Sequence, residues 1–236
     1  MRKLIPHALL AFLTLGAGLG ALTSFQSTRF SAARAALVAA PCISEVTGQS
    51  IPVSNTPLEA IIPSSAVDNA GLYATPSASG LVAVAPSGWL CHVVAPNANA
   101  SGIDIRNSDD PTSPVSVLQF TTAVGPSAEE GACPFSNEAK DRIFNIGGDM
   151  LVKSTCAMPE FVSISAHEGE YVFITAKGDP SQPLYGVIAY STITDSANVG
   201  ICVPSDTLTP GKPSYVFDRS TCKQYLRAFA RNNPMK

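Results

Sequence analysis

The sequence predicts an α+β fold: an antiparallel, meander-rich sheet with one or two central helices and a C-terminal helix packed on it, stapled by disulfides. Three observations lead to this prediction. Short segments after residue 80 alternate apolar and polar side chains, as half-buried strands do. The C-terminal segment carries one apolar helical stripe. Six cysteines, an even number, follow an apolar leader, which indicates three disulfides in an exported chain.

Residues 1–40 predict a signal peptide or an N-terminal anchor. Arg2 and Lys3 precede an almost wholly apolar stretch over residues 4–22, and small side chains follow it. This order of charge, apolar run and small residues is typical of a secretory leader. Cleavage fits the segment Ala33-Arg34-Ala35 and, more loosely, Ala21-Leu22-Thr23. The apolar run is also about as long as a bilayer-spanning helix, so retention as an anchor stays open.

The charge balance argues against a nucleic-acid partner. The chain has 15 Lys and Arg against 18 Asp and Glu. Four of the basic residues and none of the acidic ones fall within residues 1–40, so 11 basic and 18 acidic residues follow, a net charge of −7. Phosphate binding needs clustered basic side chains. We therefore predict no nucleic-acid partner, and contact with a membrane only through an uncleaved leader.

Residues 41–80 predict an extended, proline-rich arm with one short strand or helical turn. Pro52, Pro57, Pro63 and Pro76 interrupt any periodic pattern there, and proline breaks both ladders and helices. Cys42 is expected to staple this arm to the body. The globular α+β domain is then predicted over residues 81–236.

The body begins with a predicted meander of short strands. In the third of these, Ile103 and Ile105 point inward while Asp104 and Arg106 point outward. The strands predicted in the body cover residues 81–85, 89–94, 102–106, 115–123, 150–153, 161–166, 171–176 and 184–194. A tight turn at Glu168-Gly169-Glu170 predicts a hairpin.

Two short helices are predicted between the fourth and fifth of these strands. The first begins near Ser127, with acidic residues in its first turn. Cys133-Pro134 then interrupts it, and Ser136 is placed to cap the second helix. Gly147-Gly148 is predicted to end that helix, with the strand at 150–153 following directly.

The C-terminal helix is capped by Asp218 or Ser220. Cys222, Tyr225, Leu226 and Phe229 recur at i, i+3, i+4 and i+7, which forms one apolar stripe. Because Cys222 lies on this buried face, a bridge from Cys202 to Cys222 would tie the helix to the sheet.

For the other cysteines we expect Cys91–Cys133, which leaves Cys42–Cys156. Fifteen pairings are possible for six cysteines, so spacing alone does not decide between these and the alternatives.

Candidate catalytic residues are few. His167-Glu168 begins like the zinc signature H-E-x-x-H, but Tyr171 stands where the second histidine ligand is required. His92 follows Cys91 in a predicted strand, where a histidine bonded to the backbone is common. A hydrolase would draw on His92, Asp104, His167 and Glu168, and we predict instead that these residues are structural or solvated.

No motif for another chemistry is present. The sequence lacks a G-x-S-x-G elbow, a phosphate-binding glycine loop and a calcium loop with its terminal glutamate. Cysteine nucleophiles are disfavoured, because bridging is the expected state of all six thiols. We therefore predict no cofactor and no metal.

Several short motifs carry a resemblance. They are Gly88-Trp89-Leu90-Cys91, Ala132-Cys133-Pro134, Cys202-Val203-Pro204 and a closing Cys222-x-x-Tyr-Leu-x-x-Phe. Over about residues 81–232 the chain resembles uncharacterised exported proteins of high-GC Gram-positive bacteria. The resemblance implies an exported, disulfide-stapled domain and brings no activity, ligand or catalytic residue with it.

The functional expectation is an exported, non-catalytic domain with a binding or structural role at or near the cell surface. Its partner would be a protein or a surface polymer. One alternative is an exported hydrolase acting on cell-wall or extracellular polymer. Another is a membrane-anchored accessory subunit, which requires that the leader stay attached.

Overall fold

A nine-stranded, almost wholly antiparallel sheet dominates the structure, which is a computed structural model of the chain. The residues it describes are 30–74, 81–97, 99–109, 116–176, 184–204, 208–209 and 212–235. The apolar stretch of the predicted leader lies outside these residues. The folded unit described below runs from Ser31 to Lys236.

Strands and helices in the described residues follow one another in this order. The first strands are Ala32–Leu37 (β1), Ala39–Ala40 (β2), Cys42–Ser44 (β3), Ser50–Ile51 (β4), Leu58–Pro63 (β5), Ala70–Ala74 (β6), Val82–Pro86 (β7), Leu90–Asn97 (β8), Ala100–Arg106 (β9) and Val117–Val124 (β10). The later strands are Val162–Glu168 (β11), Tyr171–Ala176 (β12), Leu184–Ser191 (β13), Ser196–Val203 (β14), Leu208–Thr209 (β15) and Lys212–Val216 (β16). The helices are Pro126–Ala132 (α1), Asn137–Thr155 (α2) and Arg219–Asn232 (α3), with a short 3₁₀ turn at Ser64–Ala66.

Two meanders join to make the large sheet. Its strand order is β11-β12-β13-β14-β10-β9-β8-β3-β4, and the β10–β14 pair links the meander β8-β9-β10 to the meander β11–β14. Every pair is antiparallel except β3–β8. Smaller sheets pair β1 with β5, β15 with β16, and β2 with β6 and β7. The predicted α+β class with antiparallel sheets, helices and disulfides is therefore confirmed.

The large sheet is covered differently on its two faces. Val187 and Ile188 are consecutive in β13, and successive strand side chains point to opposite faces. Val187 belongs to the core that contains α3, while Ile188 belongs to a smaller core with α1 and α2. Helix α3 and the α1–α2 pair consequently lie on opposite faces of the sheet.

Helix α3 packs as its apolar stripe predicts. Asp218 is its cap, since its Oδ1 accepts a hydrogen bond from the Thr221 amide at 2.8 Å. All four stripe residues are buried, and Phe229 stacks on Phe120 of β10 with ring centroids 4.4 Å apart. Nearer the start of the helix, the ring centroids of Tyr225 and Phe217 are 5.8 Å apart, and those of Phe217 and Trp89 are 4.8 Å apart. Two groups of aromatic contacts therefore join the helix to the sheet.

Two asparagines at the end of α3 bind strand backbones. The Asn232 side-chain amide exchanges a pair of hydrogen bonds with the backbone of Ile61 in β5, both 2.8 Å long. Asn233 does the same with Val82 in β7, at 2.9 and 2.7 Å. Each side-chain amide pairs with one strand residue as the backbone of a neighbouring strand would. The end of the helix therefore holds β5 and β7.

The proline-rich segment is more structured than predicted. Residues 41–74 contain the four strands β3–β6, and the side chains of Ile62, Leu72 and Tyr73 are almost fully buried. Residues 32–40, predicted as part of the leader, form β1 and β2 and pair with β5 and β6. These strands are short and take partners distant in sequence, so local periodicity does not reveal them.

The second central helix also differs from its prediction. Ser136 caps α2 as expected, accepting a hydrogen bond from the Ala139 amide at 3.3 Å. Gly148 leaves the helical conformation (φ 73°, ψ 177°), but the chain then resumes helical turns as far as Thr155. The glycine pair therefore ends the first helical segment, as predicted, and a second helical segment follows across a kink. The strand predicted at Met150–Lys153 is wrong, because these residues belong to that second segment.

The disulfides are Cys42–Cys91, Cys133–Cys156 and Cys202–Cys222. The predicted Cys202–Cys222 bridge is confirmed, and it joins β14 to α3. The predicted Cys91–Cys133 and Cys42–Cys156 bridges are wrong. Cys42 lies in β3, which pairs directly with β8 beside Cys91, and Cys156 follows α2, which returns the chain to Cys133 after α1.

Three disulfides are typical of an oxidising, extracellular environment. Within the described part of the chain, none of the helices is both long and apolar enough to cross a bilayer.

We predict that the Cys133–Cys156 and Cys202–Cys222 bridges differ in how much they contribute to the free energy of unfolding. Replacing Cys133 and Cys156 by alanine should lower the free energy of unfolding by roughly 3 kcal/mol, the chain-entropy value for a loop of this length. Replacing Cys202 and Cys222 should cost more, because both are fully buried and their loss also leaves a cavity in the core. Urea unfolding of the two double variants measures this order. An equal or larger loss for the first pair would contradict it.

Candidate functional site

A cleft of about 550 Å³ opens on the sheet face that carries α1 and α2. Three parts of the chain surround it: the junction between α1 and α2, the β11–β12 turn, and the end of β13 with the turn that follows. The volume is in the range of small-molecule and peptide-side-chain sites. This cleft is the candidate functional site.

The floor of the cleft is apolar, and most of the side chains around it are polar. Val172 and Ile188, which lie on the α1–α2 side of the sheet, form the floor. Hydroxyl, amide, imidazole and carboxylate groups surround it. They belong to Ser136, Asn137, Glu138, His167, Glu170, Tyr190, Ser191 and Thr192. A site of this composition can bury an apolar stem and hydrogen-bond a polar group.

The α2 N-terminus fixes one wall. The Ser136 hydroxyl accepts from the Ala139 amide and donates to the Glu138 carboxylate at 2.9 Å. Hydrogen bonds from its own backbone amide and from Ser136 hold the pKa of Glu138 below its ordinary value. Glu138 is therefore a carboxylate at the cleft, and the Ser136 hydroxyl is held by two hydrogen bonds, one to Glu138 and one from the Ala139 amide.

Two carboxyl groups, those of Glu129 and Asp195, lie next to Tyr190 in the wall of the cleft. The Tyr190 hydroxyl donates to Asp195 Oδ1 at 2.9 Å, and Arg142 reaches the same oxygen at 2.7 Å. Glu129 of α1 is buried, and Arg142 lies 3.7 Å from its Oε1. Burial first, and then the charge of Asp195, raise the pKa of Glu129 above its ordinary value of 4.5.

This network joins both helices to the sheet. Asp195 has a φ of 47°, the one positive φ among the described non-glycine residues, and its carbonyl accepts from the Gly125 amide at 2.8 Å. Burial is also the main reason why the pKa of Tyr190 is raised to about 12. The tyrosine hydroxyl therefore stays protonated and serves as a donor to Asp195.

The candidates His167 and Glu168 point in different directions. His167 is exposed and lines the cleft. Glu168 lies on the opposite face. There the guanidinium of Arg227 in α3 binds Glu168 Oε1 through Nη2 at 2.7 Å and through Nε at 2.8 Å. Glu168 thus ties the hairpin to α3 and does not share a site with His167.

His92 and Asp104 lie elsewhere on the sheet. They face each other across β8 and β9, which are six and five strand spacings from β11, or roughly 29 and 24 Å. His92 Nε2 is 3.3 Å from Asp109 Oδ1, and Arg106 binds Asp104 and approaches Glu45 and Asp109 at 3.7 Å. The four predicted catalytic candidates therefore do not form one site.

His92, Asp104, Arg106, Glu45 and Asp109 form one cluster of ionisable side chains. Among the described residues, His92 Nε2, Asp104 Oδ1 and Arg106 Nε are buried atoms without a hydrogen bond, although His92 Nε2 lies within ion-pair distance of Asp109. None of the three lines the cleft. The contact between Arg106 and Glu45 links the β3–β4 turn to β9, near the Cys42–Cys91 bridge. The described residues also contain no group of three or more His, Cys, Asp or Glu placed to hold a metal ion.

Sequence reasoning missed the cleft itself. Of its residues it singled out His167, and it assigned Ser136 to the helix cap. The walls come from three separate segments, residues 132–138, 167–172 and 188–193, and none of them carries a chemical motif. The carboxyl pair was also missed, because Glu129 and Asp195 are 66 positions apart.

The comparisons with known proteins give no further assignment. No protein-family model matches the chain, and neither a curated protein nor a solved structure matches it.

We predict that Glu129→Gln stabilises the protein near neutral pH. Because folding raises the pKa of Glu129, the folded state holds a proton that the unfolded state releases, so stability falls as pH rises from about 4.5 through the higher folded-state pKa. Glutamine resembles the protonated form and removes this fall. The melting temperature should rise by roughly 2–4 °C for each kcal/mol recovered.

The control is Glu160→Gln, which removes an exposed carboxylate before β11. Melting of both variants and the parent is compared at about pH 4 and about pH 7. A gain for Glu129→Gln at the higher pH alone is expected. A loss at the higher pH would mean that the Arg142 contact outweighs burial.

Proposed function

We propose that this protein is an exported, non-catalytic domain that acts at or near the cell surface by binding a partner in the cleft between α1–α2 and the two hairpin turns. The partner is a protein or a surface polymer. The observation that carries the proposal is the cleft: it has an apolar floor, mostly polar walls, and a volume that admits a side chain or a small segment of polymer.

The chemistry of the cleft walls favours binding over catalysis. Ser136 caps a helix, and Ser191 accepts hydrogen bonds from the amides of Ile193 and Thr194 at 3.3 Å. Tyr190 is a donor in a buried network. These groups hold the walls in place, which gives a rigid recognition surface.

An exported hydrolase remains the alternative. It would need a histidine, a carboxylate and a nucleophile or water in one cleft. His167 lines the cleft, whereas Glu168 pairs with Arg227 and His92 and Asp104 belong to another part of the sheet. The membrane-anchored alternative depends on the leader, which lies outside the described residues.

Export is supported by the disulfides and by the composition of the leader. The same reasoning favours the resemblance to exported proteins of high-GC Gram-positive bacteria, which stays a proposal. A net acidic charge after residue 40 disfavours nucleic acid as the partner.

We predict that filling the cleft abolishes binding to the cell envelope. Thr192→Trp places a large ring in the cleft at an exposed position. The matched control is Val46→Trp, in the exposed β3–β4 turn outside the cleft. Sedimentation of the purified full chain with washed envelope fragments of the producing cells should show saturable binding for the parent and the control, and at least about tenfold weaker binding for Thr192→Trp.

Two results would overturn this proposal. Equal binding by Thr192→Trp and the control would remove the cleft as the site. Release of soluble fragments from the envelope by the parent, and not by Thr192→Trp, would favour the hydrolase.

We also predict where the leader is cleaved. The folded unit begins at Ser31, and all six residues of β1 pair with β5. Cleavage within Ala33-Arg34-Ala35 would remove part of that strand and leave β5 with an unpaired edge. Peptide mass spectrometry of the exported protein should therefore show a mature N-terminus at or before Ser31. A start at residue 36 would contradict this.

A further inference from the structure

The charge of the cleft is one-sided. Two carboxylates face it from different elements, Glu138 from the first turn of α2 and Glu170 from the β11–β12 turn, and both are exposed. Among the described residues that line the cleft, none is lysine or arginine. His167 is the one histidine among the described residues that line the cleft.

Arg142, which shares the Asp195 carboxylate with Tyr190 of the cleft wall, is paired with carboxylates. Arg142 binds Asp195 at 2.7 Å and lies 3.7 Å from Glu129. It therefore belongs to a carboxylate network of its own and does not offset the charge of Glu138 and Glu170. The cleft keeps a net negative potential, which raises the local concentration of cations.

The α2 N-terminus does not make the cleft an anion site. A helix start attracts anions through its free amides, but Ser136 accepts from the Ala139 amide and the Glu138 carboxylate occupies the first turn. An incoming anion would meet two carboxylates. Anionic ligands are disfavoured for this reason.

The floor adds a second requirement. Val172 and Ile188 present an apolar surface below the carboxylates. A ligand that fits must have an apolar stem that lies on this surface and a positive head that reaches the rim. Lysine and arginine side chains have this construction, with an alkyl chain that prefers apolar surroundings and a charged end that stays wet.

We propose that the cleft recognises a cation on an alkyl stem, an ammonium or guanidinium group held between Glu138 and Glu170 with its stem on the apolar floor. This inference rests on the proposed binding function and names its ligand class. The same chemistry is supplied by a basic side chain of a partner protein or by a free polyamine. The adjacent hydroxyl and amide groups of Thr192 and Asn137 favour a peptide, because its backbone offers partners for them.

The test is a titration of the isotope-labelled full chain followed by NMR chemical shifts. The probes are the blocked tripeptides Gly-Lys-Gly, Gly-Gln-Gly and Gly-Glu-Gly, and spermidine. We expect the lysine peptide to shift the resonances of residues 136–138, 167–172 and 188–193, and the glutamine and glutamate peptides to leave them unchanged. Raising NaCl from roughly 0.05 M to roughly 0.5 M should weaken lysine-peptide binding several-fold.

A charge-matched pair of variants tests the carboxylates. Glu138→Gln with Glu170→Gln removes both charges and keeps the shape of the walls. The control is Asp149→Asn with Glu160→Gln, which removes two exposed charges outside the cleft. Affinity for the lysine peptide should fall about tenfold in the first variant and less than about twofold in the control.

The outcomes separate this inference from the proposed function. Equal binding of the glutamine peptide, or an unchanged affinity in Glu138→Gln with Glu170→Gln, overturns the ligand class while the Thr192→Trp result still decides whether the cleft is the site. Binding of spermidine alone would overturn the peptide and leave the cation. The absence of shifts with the lysine peptide and with spermidine would overturn the inference outright.

Discussion

The pairing of β10 with β14 is the constraint on which the other elements depend, because it joins two separate meanders into one sheet. Phe120 of β10 stands opposite Gly200 of β14, and Phe229 of α3 stacks on Phe120. A side chain at position 200 would have no room, since an added Cβ would lie 2.9 Å from Val187 and 3.2 Å from Leu226 and Phe120. The close approach of the helix to the sheet therefore requires a glycine here.

The two faces of that sheet pack against different helices and carry different contacts. On one face α3, with its two asparagines and the Cys202–Cys222 bridge, holds the early strands against the core. On the other, α1 and α2 form a smaller core, with the Cys133–Cys156 bridge and the Glu129–Asp195 network, and leave the cleft beside them. The alternation of side chains along β11 places His167 at the cleft and Glu168 against α3. The larger core with α3 and the proposed binding cleft therefore lie on different faces.

The elements that the sequence predicts well are those whose signal is local. The stripe from Cys222 to Phe229, the cap at Ser136 and the tight turn at Gly169 each occupy a few consecutive residues, and all three occur in the structure. Predictions failed where a distant partner decides the conformation. β5 and β6 depend on β1, β2 and β7, and the Cys42–Cys91 bridge follows from a parallel pairing across 49 residues. The cleft could not be predicted either, because no single segment contains more than one of its walls.

The single tryptophan has a consequence for how unfolding is observed. Trp89 is buried and packs against Phe217 on the α3 side of the sheet, whereas the core of α1 and α2 contains no tryptophan among its described residues. The fluorescence of Trp89 will therefore follow the separation of α3 from the sheet. It will give no signal when α1 and α2 loosen by themselves. A fluorescence transition that looks two-state would leave the helical layer unobserved, and far-ultraviolet circular dichroism recorded on the same sample would detect it.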